Sequence, residues 1–313
     1  MTGSFALRGI IPPLVTPRLP DGGVDRSSLR RLIRFQVDAG VNAIWLLGSC
    51  GEFYLLTDQQ RQDVIDIGVE AASGDVAVLI GCVETNADRS AAWGRRAKSA
   101  GADAIFITTP IYLPISQEEI LSHCRRVREL VDLPLVLYNA QFATQTRIDV
   151  GTVRTLAEEG TLAGLKDSAG DWSGFRELVL ELGEVPDFSI VTGNEHMMDA
   201  ALLMGAAGCI GSTANVVPEV YAALYRAAMS GDWAEAARHQ NRATAVNAYV
   251  RTGDPDGTFV SRFFSGTKTA LKLRGVIDHT FTGNPLIAAS AAQEDEVRRI
   301  LTRHQVLPVA VAA

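Results

Sequence analysis

Lys166 is the first residue whose type and position could do chemistry. It stands in the segment GLKDSAGD at residues 164–171, directly after the apolar run LAGL, which is typical of the end of a buried strand. Burial disfavours the charged form of an amine, and a neutral amine attacks carbonyl carbon. The position therefore allows Lys166 to act as a nucleophile. The alternative from this residue alone is an ion pair with Asp167 or Asp171 that only tethers a loop.

Three further polar positions stand where other apolar runs end. Tyr138 closes the run LPLVLY (133–138), Tyr112 follows the run AIFITT (104–109), and the turn GSCG (48–51) follows the run AIWLL. A phenol relays protons, and a hydroxyl with free backbone N–H groups holds an anion such as a carboxylate. Each position also has a simpler interpretation, either a core tyrosine with its hydroxyl at the rim or an ordinary tight turn.

Eight short apolar runs of the kind that form strands alternate with helical patterns. They cover residues 9–15, 43–48, 76–81, 104–109, 133–138, 162–166, 188–193 and 207–211. Strict alternation predicts an α/β fold with a parallel sheet, and the count of eight favours a (β/α)8 TIM barrel. An open doubly wound sheet is the alternative, but its G-x-G-x-x-G turn is missing after the first run. Thr57 and Asn86 are expected to be N-caps of two helices.

The pattern changes after residue 217 to helices alone, which predicts a C-terminal helical appendage. We therefore assign residues 1–217 to a barrel domain that carries the catalytic site. Residues 218–313 are assigned to the last barrel helix and a C-terminal helical region. The active site of such a barrel lies at the C-terminal ends of its strands, so Lys166, Tyr138 and the turn at residues 48–51 are expected to share one mouth.

Composition and charge disfavour several classes of function. The 313 residues are 47% hydrophobic and 21% charged, as in a soluble globular protein, and a net charge of −7 without a Lys/Arg-rich run disfavours a nucleic-acid partner. No stretch approaches about 18 uncharged apolar residues, and no secretory leader is visible, so we expect no membrane association. Four scattered cysteines fit reduced thiols in the cytoplasm. Five histidines without metal-ligand spacing argue against a metal site.

The combination of these motifs resembles the dihydrodipicolinate synthase/N-acetylneuraminate lyase family of class I, pyruvate-type aldolases, over essentially the whole chain. The resemblance rests on GSCGE (48–52), TPIY (109–112), YN (138–139), GLKDSAGD (164–171), GCIGSTANVVP (208–218) and KTALKLRG (268–275). The lysine motif together with YN at this spacing is specific to the family.

The resemblance implies a catalytic role for four residues. Lys166 forms a Schiff base with the ketone of a 2-oxo acid substrate, and Tyr138 relays protons with Ser49 and Tyr112. In relatives the counterpart of Tyr112 comes from the neighbouring subunit, which implies a homodimer or homotetramer. The chemistry implied here requires no cofactor.

The resemblance also implies how the substrate is bound. Ser49, Cys50 and Gly51 hold its carboxylate through hydroxyl and backbone N–H groups, and the Ile210 carbonyl lines the pocket. Substrate binding is therefore expected to involve the turns after the second and eighth strands.

Three departures from the family pattern bear on the substrate. Cys50 stands where threonine is usual, Gln141 replaces a proline, and Ala143 occupies the place of the arginine with which the synthases hold their second substrate's carboxylate; the next cation is Arg147. We therefore predict cleavage or dehydration of a 2-keto-3-deoxy sugar acid or a similar 2-oxo acid, with pyruvate as product or co-substrate. The alternatives are a dihydrodipicolinate synthase, which condenses pyruvate with aspartate semialdehyde, and a barrel that binds a 2-oxo acid without turnover.

Overall fold

Parallel strands alternate with helices in the computed structural model, which describes residues 5–307. The strands are β1 Gly9–Ile10, β2 Ala43–Leu46, β3 Ala77–Gly81, β4 Ala104–Ile107, β5 Leu135–Asn139, β6 Gly164–Asp167, β7 Ser189–Thr192 and β8 Gly208–Cys209. Their order in the sheet is β1-β8-β7-β6-β5-β4-β3-β2. Each observed strand overlaps one predicted apolar run, and β5 and β6 extend one residue beyond theirs.

The two ends of this strand order meet, so the sheet is a barrel. Pro13, just after β1, forms a parallel bridge with Trp45 of β2. The Trp45 N–H donates to the Pro12 carbonyl at 3.1 Å, and the Leu14 N–H donates to the Trp45 carbonyl at 2.9 Å. The prediction of a (β/α)8 TIM barrel with C-terminal helices is therefore confirmed.

Helices surround the barrel and continue beyond it. Those between β1 and the end of the barrel are α1 Arg26–Asp38, α2 Asp58–Ala72, α3 Ala87–Ala100, α4 Gln117–Leu130, α5 Gln141–Thr144, α6 Val150–Glu158, α7 Trp172–Leu182, α8 Met198–Met204 and α9 Pro218–Met229. The C-terminal region adds α10 Trp233–Val246, α11 Phe259–Leu273 and α12 Ala291–Arg303. Short 3-10 helices cover Phe53–Leu55, Glu195–Met197, Ser212–Asn215 and Asn247–Arg251.

Single side chains set where several helices begin. The Thr57 hydroxyl accepts a hydrogen bond from the Gln60 N–H, and the Asn86 side chain accepts one from the Arg89 N–H at 2.9 Å. These bonds satisfy backbone donors that a helix start otherwise leaves unpaired. Both residues are N-caps, as their positions in the sequence predict.

Side chains along each strand alternate between the inside of the barrel and the surrounding helices. On β2, Trp45 points inward and stacks on Phe106 of β4, with ring centroids 3.5 Å apart, while Ile44 and Leu46 pack outward. The inner aromatic layer fills the barrel below its mouth. A polar side chain at the end of a strand is therefore packed against an apolar layer inside the barrel.

The C-terminal helices reach the mouth of the barrel. Helix α9 packs on β1, and α10 packs on α8 and α9. Val250 in the 3-10 helix after α10, and Phe263 and Phe264 of α11, line the cavity at the carboxyl ends of the strands. Across residues 5–307, none of the helices is both long and apolar enough to span a membrane.

Candidate active site

A cavity of about 880 Å³ lies at the carboxyl ends of the strands. Ser49 and Cys50 line it from the turn after β2, Tyr138 from β5, Lys166 from β6 and Ile210 from the end of β8. The parallel strands bring these side chains together although up to 161 positions of sequence, from 49 to 210, separate them. The shared mouth expected from the sequence is present.

Lys166 is buried in the cavity wall without a carboxylate partner. Its residue is 5% exposed, and its Nζ lies 4.2 Å from the centroid of the Tyr138 ring and 5.2 Å from that of Trp45. The Asp167 carboxylate accepts from the Asn139 Nδ2 instead, and Asp171 caps α7 by accepting the Gly174 N–H at 3.0 Å. Within the described part of the chain Lys166 has no ion pair, so the loop-tether alternative has no support.

Tyr138 lies directly beside Lys166 because the two residues are register partners on β5 and β6. The Tyr138 ring meets Trp45 edge to face at 5.9 Å, which fixes the ring against the inner aromatic layer. The residue is 5% exposed and lines the cavity. A phenol and an amine thus share one wall of the cavity, a combination that can move protons on a bound substrate.

The turn after β2 offers free backbone donors. The Gly51 N–H donates to the Gly48 carbonyl at 3.0 Å, and the Thr16 hydroxyl donates to the Gly51 carbonyl at 2.7 Å. Gly51 was predicted to bind substrate, but its N–H is committed to the turn and its residue does not line the cavity. The N–H groups of Ser49 and Cys50 donate to no group in residues 5–307, so the available donors are these two.

Cys50 carries a neutral thiol. Burial raises the pKa of Cys50 to about 12, against the opposite influence of the Lys166 charge and with support from Glu195 and Glu52. A thiol with this pKa is neither a thiolate nucleophile nor a strong hydrogen-bond donor. The Cys50 side chain therefore replaces the usual threonine hydroxyl with a weaker group, and its backbone N–H stays available.

A buried hydrogen bond between Asn139 and Asp167 joins the carboxyl ends of β5 and β6. The Asn139 Nδ2 donates to the Asp167 Oδ1 at 2.7 Å, and both residues are buried. Burial raises the pKa of Asp167 to about 6, although the hydrogen bond from Asn139 acts in the opposite direction. This pair holds Tyr138 and Lys166 side by side on the inner face of the same two strands.

The carboxylate of Glu195, which also lines the cavity, was not singled out from the sequence. Its Oε2 accepts the Thr213 N–H at 2.6 Å, and its Oε1 accepts the Ser212 hydroxyl at 2.8 Å and the Asn247 Nδ2 at 2.9 Å. Ser212 and Asn247 line the cavity as well. The network joins the turn after β7, the turn after β8 and the 3-10 helix Asn247–Arg251. The signal available in the sequence was position alone, directly after the seventh apolar run.

Tyr112 does not line the cavity of its own chain. It is 83% exposed, and its backbone lies in the left-handed region with a φ of 95°. Its neighbour Leu113 is 65% exposed, whereas Ile111 is the residue of this loop that reaches the cavity. A phenol that points to solvent takes no part in a relay inside its own subunit.

The arginine that lines the cavity is not the one that the sequence pointed to. Ala143 lines the cavity, and Arg147 lies outside it, paired with Asp149 at 3.4 Å. Arg251, which sequence reasoning overlooked, lines the cavity from the end of its 3-10 helix and has no ion pair within residues 5–307. Among residues 5–307, the guanidinium that lines the cavity is therefore that of Arg251, on the 3-10 helix Asn247–Arg251 and not in the loop after β5.

Fold and site together define a class: a (β/α)8 barrel lyase of the class I aldolase type. A profile of the Dihydrodipicolinate synthetase family matches residues 6–304, and the chain belongs to that family. Proteins of this family are lyases and aldolases.

Similar proteins include both synthases and aldolases. A 4-hydroxy-tetrahydrodipicolinate synthase of Salinibacter ruber is 33% identical, over 82% of this chain and 84% of its own length. A probable 2-dehydro-3-deoxy-D-pentonate aldolase of Escherichia coli K12 is 29% identical, over 96% and 98%. The crystal structure of YagE from Escherichia coli K12, in complex with pyruvate, matches with a TM-score of 0.89 at 28% identity, over 96% of this chain and 99% of YagE.

Proposed function

We propose that the protein is a Schiff-base-forming lyase that cleaves or dehydrates a 2-keto-3-deoxy sugar acid or a similar hydroxylated 2-oxo acid, with pyruvate as product or co-substrate. The observation that carries the proposal is the Lys166 amine, which has no ion pair, faces the cavity and lies beside Tyr138. Once deprotonated, such an amine is free to attack a ketone, and a phenol stands next to it to move the proton. The pyruvate bound to the similar protein YagE supports a 2-oxo acid as ligand.

In the proposed reaction the Lys166 Nζ adds to C2 of the substrate. Tyr138 passes a proton to the resulting hydroxyl, which leaves as water and produces an iminium. The iminium withdraws electrons from the adjacent carbon. In cleavage, Tyr138 as phenolate takes the proton of the C4 hydroxyl, the C3–C4 bond breaks, its electrons form an enamine and an aldehyde leaves; the enamine then takes a proton at C3, and hydrolysis releases pyruvate. In dehydration, the iminium instead loses a proton from C3 to give an enamine, which expels the C4 hydroxyl as water before hydrolysis releases the product.

Carboxylate binding is assigned to the turn after β2. Ser49 and Cys50 line the cavity, and their N–H groups donate to no group in residues 5–307. Backbone N–H groups in such a concave turn bind anions. The Ile210 carbonyl, directly after β8, accepts no hydrogen bond from residues 5–307 and is left to receive a donor from the substrate or water.

The choice of substrate is supported by the polar side of the cavity. The Glu195 Oε2 accepts one hydrogen bond, from the Thr213 N–H, and keeps acceptor capacity that matches a substrate hydroxyl, while Ala143 offers nothing to a second carboxylate at the synthase position. The similarity to a probable 2-dehydro-3-deoxy-D-pentonate aldolase agrees with a hydroxylated 2-oxo acid.

Borohydride reduction in the presence of pyruvate tests the chemistry. We expect a covalent adduct on Lys166 in the wild-type protein and none in Lys166→Ala. Lys272→Ala is the matched control, since Lys272 is an exposed lysine paired with Glu294 outside the cavity. If the wild-type protein forms no adduct with pyruvate or any other 2-oxo acid, the lyase proposal fails and a barrel that binds without turnover takes its place.

A dihydrodipicolinate synthase is the second candidate, and Arg251 is the observation that favours it. Its guanidinium lines the cavity and suits a carboxylate such as that of aspartate semialdehyde. The comparison is kcat/KM for pyruvate plus aspartate semialdehyde against kcat/KM for pyruvate release from 2-keto-3-deoxygluconate. Efficient condensation without lyase activity would assign the synthase reaction, and Arg251→Ala should then abolish it.

The proposal includes a homo-oligomer, a dimer or a tetramer, in which Tyr112 completes the relay of a neighbouring subunit. Its support is the exposure of Tyr112 and the apolar Leu113 beside it. A large apolar group on the surface of a protein is commonly part of an interface.

A further inference from the structure

The turn that carries Ser49 and Cys50 is flanked by two non-glycine residues in the left-handed backbone region. Leu47 has a φ of 58° and Glu52 a φ of 54°. This conformation is unfavourable for residues with a Cβ and persists only where surrounding contacts enforce it. Leu47 is 0% exposed and held by the apolar core. Glu52 needs a holding contact of its own.

That contact is an ion pair with Lys268 of α11. Both side chains are 0% exposed, and the Lys268 Nζ also donates to the Phe281 carbonyl at 2.7 Å. In residues 5–307 no other side chain is paired with the Glu52 carboxylate. A buried charge without its partner is strongly unfavourable, so each group holds the other in place.

The surroundings of the pair contain one more charge. Arg18, from the loop after β1, is buried next to the pair, donates to the Gly22 carbonyl and lies over the Phe281 ring at 5.1 Å. Burial lowers the pKa of Lys268, Glu52 acts against that shift, and Arg18 adds to it. Because Arg18 disfavours a second positive charge nearby, the charged form of Lys268 depends more strongly on the negative charge of Glu52.

Glu52 is connected directly to the proposed carboxylate-binding groups. Its N–H donates to the Ser49 carbonyl at 3.1 Å, and the Gly51 N–H donates to the Gly48 carbonyl. The two accepting carbonyls belong to the same peptide planes as the Ser49 and Cys50 N–H groups, so these bonds orient both planes and leave both N–H groups without a partner in residues 5–307. Fixing Glu52 therefore fixes the direction of both donors.

We propose that Lys268 is a positioning residue: through its ion pair with Glu52 it holds the Ser49–Cys50 turn in the orientation that receives the substrate carboxylate. Lys268 does not line the cavity, so it acts only through Glu52. The inference rests on the proposed function, because it requires a carboxylate substrate at this turn. It makes α11 a part of the binding machinery of the barrel.

The test compares borohydride trapping of pyruvate with trapping of acetone, which has the ketone and lacks the carboxylate. The variants are Glu52→Gln, Lys268→Met and the double variant Glu52→Gln/Lys268→Met, in which neither charge of the pair is left without its partner and folding is therefore easiest of the three. We expect the ratio of the trapping rates for pyruvate and acetone to fall about tenfold, the size of one misaligned charge-assisted hydrogen bond. The acetone rate itself should stay near the wild-type value.

A purely structural role of the pair predicts a different result. Glu84→Gln is the matched control: Glu84 and Arg61 form an ion pair whose side chains are 8% and 7% exposed, and neither lines the cavity. This variant should lose stability and keep the wild-type trapping ratio. A wild-type ratio in the folded double variant overturns the positioning role while the lyase proposal stands. Absence of any adduct in the wild-type protein overturns both.

Discussion

At the scale of single residues, the burial of Asp167, next to Lys166 on β6, makes the stability of the protein depend on pH. Its carboxyl pKa is raised from 3.8 to about 6 by burial. The folded protein therefore keeps the Asp167 proton between about pH 4 and pH 6, where the unfolded chain has lost it. Since the unfolded state binds fewer protons in that interval, this group lowers stability as pH rises through it, and the loss is complete above about pH 6.

Asp167→Asn is expected to remove that loss. A shift of about two pKa units corresponds to roughly 3 kcal/mol, so the variant should gain stability relative to wild type as pH rises from about 4 to 7, up to this amount. The measurement is urea unfolding of both proteins at a fixed concentration across that pH range. A difference in unfolding free energy that does not change with pH would contradict the burial argument.

Tyr138→Phe is expected to lower the turnover of the proposed reaction by roughly 10²–10⁴, the usual contribution of a positioned proton carrier. The ring still packs on Trp45, so circular dichroism should show a folded protein. Tyr225→Phe, on α9 and away from the cavity, is the control and should keep wild-type activity. Near-wild-type turnover in the Tyr138 variant would remove the phenol from the mechanism.

The individual site residues differ in how far the sequence could predict them. Lys166 and Tyr138 were predictable because each ends an apolar run and the ends of parallel strands meet. Glu195 was not, because its significance comes from Asn247, which lies 52 positions further along the chain. No local pattern encodes such a contact. The availability of Ser49 and Cys50 N–H groups, and not that of Gly51, likewise depends on backbone geometry within the turn.

At the scale of elements, the barrel could be predicted and the arrangement of the C-terminal region could not. The strands appear in the sequence as short apolar runs because both of their faces are buried. The segment after residue 217 shows helical periodicity, which says that helices form but not where they pack. The structure places α11 and the 3-10 helix Asn247–Arg251 against the mouth of the barrel, where they supply Asn247, Phe263 and Phe264 to the cavity wall.

Asn247→Ala tests this contribution of the C-terminal region. The variant loses the Nδ2 that donates to the Glu195 Oε1 at 2.9 Å and orients this carboxylate, so the Glu195 Oε2 should be less well placed to accept from substrate hydroxyls. We expect KM for a 2-keto-3-deoxy sugar acid to rise about threefold to tenfold, as for one lost hydrogen bond. Borohydride trapping of pyruvate, which has no hydroxyls, is the internal control and should not change. An equal effect on both ligands would assign Asn247 a general structural role.

At the scale of the whole molecule, the exposed loop after β4 argues for association. Tyr112 and Leu113 are 83% and 65% exposed, and Phe142 at the neighbouring edge of the cavity is 69% exposed. Apolar side chains gathered near an active-site mouth are typical of an interface. Light scattering should therefore give a mass of at least two chains. An active monomer would remove Tyr112 from the relay, since a phenol this exposed does not reach the cavity of its own subunit.

Mixing two inactive variants distinguishes a relay across subunits from one within a subunit. In a dimer of one Lys166→Ala chain and one Tyr112→Phe chain, the second chain has an intact Lys166 and, if the phenol crosses the interface, receives an intact Tyr112 from the first. Random exchange makes half of the dimers mixed, and each mixed dimer then has one complete site of two, so activity should return to about a quarter of the wild-type value. If Tyr112 acts in its own chain, no mixed dimer contains a complete site and the mixture stays as inactive as its components. Refolding the two variants together, with each refolded alone as the control, measures which arrangement the protein uses.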